Sequence, residues 1–346
     1  MKRLIAAFLI AVVAVMTLTS CSRGTPEKPL TKTNFLLDTM IQITAYGPEA
    51  QRAIDEAFDR INDIQKKMTV NGQDSEVIEI NKKAGIGFQK VSPDTFYVIK
   101  KGLYYSEESH GRFDITIGPL VKLWGIGTDR ARVPSQNEIK EALKLVNYKD
   151  VVLKESENSV MLKRPHMAID LGAIAKGYAA DEVVRILKEN GIKSAAADLG
   201  GNIYVVGKKP NGLPWKIGIQ DPFEPRGNTF ATVEVADKTL VTSGVYERFF
   251  EKNGKRYHHI LDTSTGYPVE NGLVSVTIIS DSSIDADGLS TTVFALGLKE
   301  GMSFVERTPN IEAVFVTGDR RVYTSSGINR YNFKITNSQY KWSKLN

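Results

Sequence analysis

Cysteine is almost missing from this chain: Cys21 stands alone among 346 residues. No internal disulfide can form, and there is no CxxC pair for metal or redox chemistry. The four histidines (His110, His166, His258, His259) are too few and too scattered for zinc-ligand spacing. A P-loop and an HExxH pair are also missing, and Gly125-Ile126-Gly127 lacks the third glycine of a dinucleotide fingerprint, so it reads as a loop. Charge of one sign is scarce as well. Lys and Arg total 45 against 40 Asp and Glu, a net charge of +5, which becomes +3 without Lys2 and Arg3. That small surplus, with no basic run, argues against a nucleic-acid partner. With 42% hydrophobic and 25% charged residues, collagenous, disordered and polytopic membrane classes are excluded.

The one long apolar run sits at the start. Met1-Lys2-Arg3 is basic, and Leu4 to Leu18 is apolar except for Thr17. The run is shorter than the roughly twenty residues of a membrane span and suits the core of a signal peptide. Leu18-Thr19-Ser20-Cys21 resembles a bacterial lipoprotein cleavage box, which implies cleavage before Cys21 and lipidation of that residue. Residues 1–20 are therefore expected to be a lipoprotein signal peptide. Residues 21–32, with Gly24, Pro26 and Pro29, are expected to be a lipid-anchored tether. The product would be exported and held at the bacterial membrane, facing the periplasm or the cell exterior.

The folded part, expected over 33–346, mixes both periodicities. Phe35 to Tyr46 reads as a strand ended by Gly47-Pro48. Ile54, Ala57, Phe58, Ile61, Ile64 and Met68 recur at helical spacing. Ser92-Pro93 opens another helix, and Ser135-x-x-Glu138 is a capping-box pattern. Short β-type runs occur at Val151 to Leu153, Val160 to Leu162 and Ala168 to Leu171, followed by a helix over Ile174 to Leu187. The remainder is strand-rich, with a helix from about Asp287 to Leu296 and a late hairpin around Gly318-Asp319. Without strict βαβ alternation the fold class is α+β: one catalytic unit of mixed, largely antiparallel sheets with packed helices.

Five segments could carry chemistry. Ile169-Asp170-Leu171-Gly172-Ala173-Ile174-Ala175-Lys176 places a carboxylate, a glycine turn and a helix start together, which suits a pyrophosphate. Read alone, it is equally a strand–turn–helix junction capped by Asp170. Asp287 and Thr291 stand at i and i+4 on one helix face and offer two hard oxygen donors of the kind magnesium takes. The alternative is a charge at a helix start and a back-bonded threonine. His258-His259 before an apolar pair suits a general base or a buried structural histidine. His110 to Pro119 resembles a loop laid against a flat ligand, or a plain strand entry. Ala197 to Ile203 carries two glycines at a strand boundary, the mark of a bulge or tight packing.

The order of these segments is more telling than any one of them. DTM at Asp38 to Met40, DSE at Asp74 to Glu76 and GRFDITIGPLVKLWG from Gly111 come first. IDLGAIAKGYAAD from Ile169, DLGGNI from Asp198, TSGVYERFF from Thr242, HHILDTSTGYP from His258 and DADGLSTTVFALG from Asp285 follow. Together they resemble the ApbE family, the flavin:protein FMN transferases, over nearly all of Thr33 to about Tyr331. The resemblance implies binding of FAD and Mg²⁺ and transfer of FMN from FAD to a Thr or Ser hydroxyl of a partner protein, releasing AMP. It implies an acceptor that is a subunit of a membrane redox complex. FAD hydrolysis to FMN and AMP, or non-catalytic FAD binding by a lipoprotein, are the alternatives. Carried onto this chain, Met40 and Asn71 would line the flavin side, with Arg112, Phe113 and Asp114 as the next wall. Asp170 and Lys176 would contact FAD, and the Leu261 region would close over it. Ala173 would offer its carbonyl to Mg²⁺, with Asp287 and Thr291 supplying side-chain oxygens and Asp285 a possible further ligand. His259 would take the proton of the incoming hydroxyl. The chain departs from the family at Asp262-Thr263, where members often have Asp-Pro.

Overall fold

The computed structural model describes residues 28–345. The expected signal peptide, Cys21 and most of the tether lie outside the described residues. With strands numbered along the chain, nine form the central sheet. Their order is β1 (Leu30–Leu36), β2 (Thr39–Tyr46), β6 (Ser194–Leu199), β7 (Asn202–Val206), β10 (Lys238–Gly244), β13 (Leu273–Ser280), β14 (Glu312–Thr317), β15 (Arg321–Thr324) and β17 (Lys341–Trp342). Every neighbouring pair is antiparallel except β15 with β17. Smaller sheets comprise β3 (Gln89–Lys90), β5 (Ser159–Leu162) and β4 (Val151–Lys154); β16 (Lys334–Ile335), β9 (Thr229–Val235) and β8 (Trp215–Gln220); and the ribbon β11 (Phe249–Lys252) with β12 (Lys255–His258). The helices are α1 (Ala50–Met68), α2 (Glu76–Lys82), α3 (Pro93–Glu108), α4 (Gly118–Trp124), α5 (Gln136–Leu143), α6 (Ala175–Glu189) and α7 (Ser283–Arg307). This is the expected α+β class.

Period-two alternation covers both faces of the sheet. Val276, Ile278, Ala313 and Phe315 point into the large core shared with α1, α6 and α7. Their neighbours Ile279, Val314 and Val316 point the other way, into a second core with Trp215 and Phe230 of β8 and β9. Helix α1 buries Ile54, Ala57, Phe58, Ile61, Ile64 and Met68, the stripe its spacing predicts. Ser135 and Glu138 form a complete capping box at α5, and Ser92 caps α3.

Several sequence expectations need correction. Phe35 to Tyr46 is not one strand. The chain reverses at Leu37 and Asp38, whose φ angles are +53° and +55°, and β1 pairs with β2. Such a turn normally carries Asn-Gly or Asp-Gly; here the Leu37 amide is held instead by the Gln65 side chain of α1. Leu30 to Lys32 consequently belong to the sheet rather than to a tether. Ala168 to Leu171 forms no ladder, only a bridge from Ala168 to Ile117 and a hydrogen bond from the Asp170 amide to the Ile115 carbonyl. Helix α7 begins at Ser283, earlier than expected, and Gly297 (φ +81°, ψ 176°) interrupts it where a stop was expected.

The register gathers the motifs. Ile41 pairs with Leu199, Asp198 with Ile203, Asn202 with Val241 and Ser275 with Gly244. The start of β2, the β6–β7 turn and the end of β10 therefore share one end of the sheet. The first turn of α6 meets the second and third turns of α7 there, at Asp287 and Thr291.

Candidate functional site

The approach to α6 is a tight sequence of turns. Asp170 Oδ1 accepts from the Gly172 amide at 2.7 Å, and the Leu171 carbonyl accepts from the amides of Ile174 (3.0 Å) and Ala175 (2.8 Å). Burial raises the Asp170 carboxyl above its ordinary range, against that hydrogen bond and the charge of Arg248. Lys176, in the first turn, reaches across to the sheet and donates to Asn202 Oδ1 at 3.2 Å. Asn202 opens β7 and is fully buried.

The next residue makes the central contact. Gly177 is the third residue of α6, and an amide in the first turn has no partner within its own helix. Here it donates to Asp287 Oδ2 on α7, at 2.8 Å. The Ala173 carbonyl, two residues before the helix, lies outside its hydrogen-bond ladder. Glycine is required at this crossing. A Cβ on Gly177 would stand 2.2 Å from the Ser283 carbonyl oxygen and 2.7 Å from Asp287 Cβ. Asp287 is only 4% exposed. Burial raises its carboxyl, opposed by the charge of Lys176 and by the Gly177 amide. One turn on, Thr291 Oγ1 lies 3.2 Å from Ser243 Oγ, which also meets Ser290 Oγ at 2.8 Å. The expected metal set thus lies around one corner: a carboxylate, a hydroxyl and a carbonyl just before α6, all hard oxygen donors. Among the described residues no group of three His, Cys, Asp or Glu forms a metal cluster. Asp285 is excluded from the corner, because Lys101 Nζ and the Tyr105 hydroxyl both donate to its Oδ1 at 2.7 Å.

The two adjacent histidines have opposite roles. The Ile260 amide donates to His258 Nδ1 (3.3 Å), so Nε2 donates to the Val269 carbonyl (3.0 Å). Both nitrogens are used, and the ring packs edge-on to Phe294. His259 Nδ1 lies 3.2 Å from the Arg248 carbonyl. A carbonyl only accepts, so Nδ1 carries the proton and Nε2 keeps its lone pair. Burial, with the nearby charges of His258, Arg248 and Lys176, pushes this imidazole down to about 3, against its bond to the Arg248 carbonyl. It is neutral at pH 7.

The remaining expected residues divide. Met40 is exposed on β2, and Asn71 Nδ2 donates to Asp38 Oδ2 at 3.0 Å, which brings Asn71 to the DTM turn. Arg112 lies 3.7 Å from Asp262. Phe113 and Asp114 are buried. Asp114 Oδ1 accepts from the Thr116 amide and hydroxyl, both at 2.7 Å, and Oδ2 accepts from the Tyr148 amide at 2.9 Å. Leu261 is buried with Leu120, Trp124 and Ile139. The side chains of Phe113, Asp114 and Leu261 are all turned into the protein interior. At the departure from the family, the Thr263 hydroxyl donates to the Gly111 carbonyl at 2.6 Å, a link between loops that proline lacks.

Three residues of the site carried no chemistry in the sequence reading: Asn202, Ser243 and Arg248. Arg248 is exposed, beside Gly127, and among the described residues has no carboxylate within ion-pair distance. All three lie inside quoted motifs, so the motifs marked them; their partners are far away in sequence and could not be read.

The chain matches the ApbE family over residues 37–315. An FAD:protein FMN transferase of Treponema pallidum is 35% identical over 326 residues, covering 89% of this chain and 90% of its own length. One from Klebsiella pneumoniae is 38% identical over 306 residues, covering 88% and 94%. The crystal structure of the ApbE protein of Thermotoga maritima superposes with a TM-score of 0.82 at 32% identity, covering 88% of this chain and 99% of that one. The chain belongs to the ApbE family.

Proposed function

We propose that this protein is an FAD:protein FMN transferase that moves FMN from FAD to a Thr or Ser hydroxyl of a partner protein and releases AMP. The observation that carries the reading is the Gly177–Asp287 contact. It puts a buried carboxylate beside a helix start and its lysine, two residues after the Ala173 carbonyl. The first turn of α6 suits the pyrophosphate of FAD, with Lys176 adding a full positive charge. Asp170, Met40, Asn71 and Arg112 would face the rest of the dinucleotide. Asp287, Thr291 and the Ala173 carbonyl would hold Mg²⁺, which supplies charge neutralisation at the pyrophosphate.

His259 Nε2 accepts the proton of the acceptor hydroxyl as its oxygen attacks the FMN phosphorus. The bond from that phosphorus to the bridging oxygen breaks, and AMP departs with that oxygen. Burial is the main cause of the depressed imidazole, and the phosphates of bound FAD would offset only the smaller contribution of the Arg248 and Lys176 charges. The nucleophile belongs to the partner.

From residues 1–32 we further propose export, lipidation at Cys21 and attachment to the bacterial membrane, where the acceptor would be a subunit of a membrane redox complex. The test is incubation of the exported domain with FAD, Mg²⁺ and a candidate acceptor, followed by intact mass. An added FMN on the acceptor with equimolar AMP is expected. Free FMN and AMP with an unchanged acceptor mass would overturn transfer in favour of hydrolysis.

A further inference from the structure

The junction of α6 and α7 is held by two carboxylates in opposite senses. Asp287 of α7 takes an amide proton from α6, at Gly177. One turn later on the same face of α6, Asp181 takes amide protons from α7. Its Oδ1 accepts from Ser283 at 2.7 Å, and its Oδ2 accepts from Ile284 at 2.9 Å and from the Ser282 hydroxyl at 3.3 Å. The first N–H groups of a helix have no partner within it. Here the side chain of the local cap, Ser282, satisfies only the Asp285 amide, at a long 3.4 Å. Asp181 therefore supplies the main cap of α7 from a neighbouring helix. It closes the IDLGAIAKGYAAD motif but takes no part in the chemistry above.

The consequence is positional. Asp287 lies four residues beyond Ser283, one turn after the amides that Asp181 anchors, and Thr291 one turn further. Gly177 leaves no side chain between the helices, so their separation is set by backbone contact and by these two carboxylates. We propose that Asp181 is a positioning residue for the transfer reaction: through the first turn of α7 it fixes Asp287 and Thr291 against the start of α6, and so sets the affinity of the divalent-cation corner. The proposal rests on the magnesium reading above and adds a residue that touches neither metal nor substrate. Partners that orient ligands in this way typically contribute 10- to 100-fold to metal affinity.

The test is Mn²⁺ binding to the purified exported domain, followed by electron paramagnetic resonance, beside FAD affinity measured in EDTA. Wild type, Asp181→Ala, Asp181→Asn and Asp287→Asn are compared. Asp181→Ala should weaken Mn²⁺ about tenfold and leave FAD affinity in EDTA unchanged. Asp181→Asn keeps one acceptor oxygen and should fall between, and it carries the test should the alanine variant fail to fold. A lower melting temperature with wild-type Mn²⁺ affinity in Asp181→Asn and any folded alanine variant would reduce Asp181 to a structural cap and overturn the proposal. Equal Mn²⁺ binding by wild type and Asp287→Asn, or none by wild type, would overturn the magnesium reading and this inference with it.

Discussion

Helix α6 borders two charged regions that differ in how their charges are satisfied. On its second turn, Tyr178 and Glu182 join a network centred on Arg60. That guanidinium donates to both oxygens of Asp94 (2.7 and 2.9 Å), to Asp63, to Glu182 and to the Tyr178 hydroxyl, while Lys67 bridges Asp63 and Asp94. The Asp94 carboxyl is held well below its ordinary range by Arg60 first, then Lys67 and Tyr178, against burial. On the first turn, Asp287, Asp170, Lys176 and His259 make no ion pair among themselves, and burial raises both carboxyls and lowers the imidazole. One region has spent its charges on the fold. The other keeps them under-partnered in a desolvated corner, the usual condition of a site that receives a charged ligand.

The largest effect should come from His259→Gln. It removes the Nε2 lone pair and should lower FMN transfer by roughly 10²–10⁴ in single-turnover assays, with FAD affinity retained. A wild-type rate would erase the functional half of the contrast. Next, Arg60→Met removes the central guanidinium, leaving Asp94 to Lys67 and Tyr178 and Glu182 to Arg185. It should destabilise the fold by about 3 kcal/mol in urea titration while leaving the rate per folded molecule unchanged. Asp287→Asn should move stability the other way, by about +1 kcal/mol, because it neutralises a buried and weakly partnered carboxylate while abolishing transfer. Loss of stability in that variant would mean that Asp287, like Asp94, serves the fold.

Acid should separate the two regions. His259 has a folded pKa of about 3, below the unfolded value of about 6.5, so the unfolded state binds the proton first and stability falls as pH drops from about 6.5 toward 3. Asp94 is depressed, so its contribution is whole above about pH 4 and is lost as pH falls further. Urea midpoints against pH should flatten over the first window in His259→Gln and over the second in Asp94→Asn. The smallest effect is expected outside both regions. Thr263→Val removes the bond to the Gly111 carbonyl and should destabilise by about 1 kcal/mol.

What could be read from the chain was local. The stripe from Ile54 to Met68, the capping box at Ser135 and the alternating β-runs specify their elements within a few turns. Composition and order were enough for the α+β class. The motif segments were legible as segments. What sequence could not show were contacts made across long separations. The Leu37–Asp38 turn has no turn signature because Gln65 supports it from another element. Asp285 and Asp287 look alike along the chain, yet Lys101 and Tyr105 claim the first. The Gly177–Asp287 contact joins residues 110 positions apart, which no periodicity encodes.

The central claim is that a divalent cation sits where α6 meets α7, against the two phosphates of FAD. Crystals grown with FAD and Mn²⁺, measured at a wavelength that gives manganese an anomalous signal, test it directly. The account predicts one anomalous peak bounded by an Asp287 oxygen, Thr291 Oγ1 and the Ala173 carbonyl, touching the pyrophosphate. Bound FAD with its pyrophosphate away from Lys176, or a peak at some other set of ligands, would contradict it.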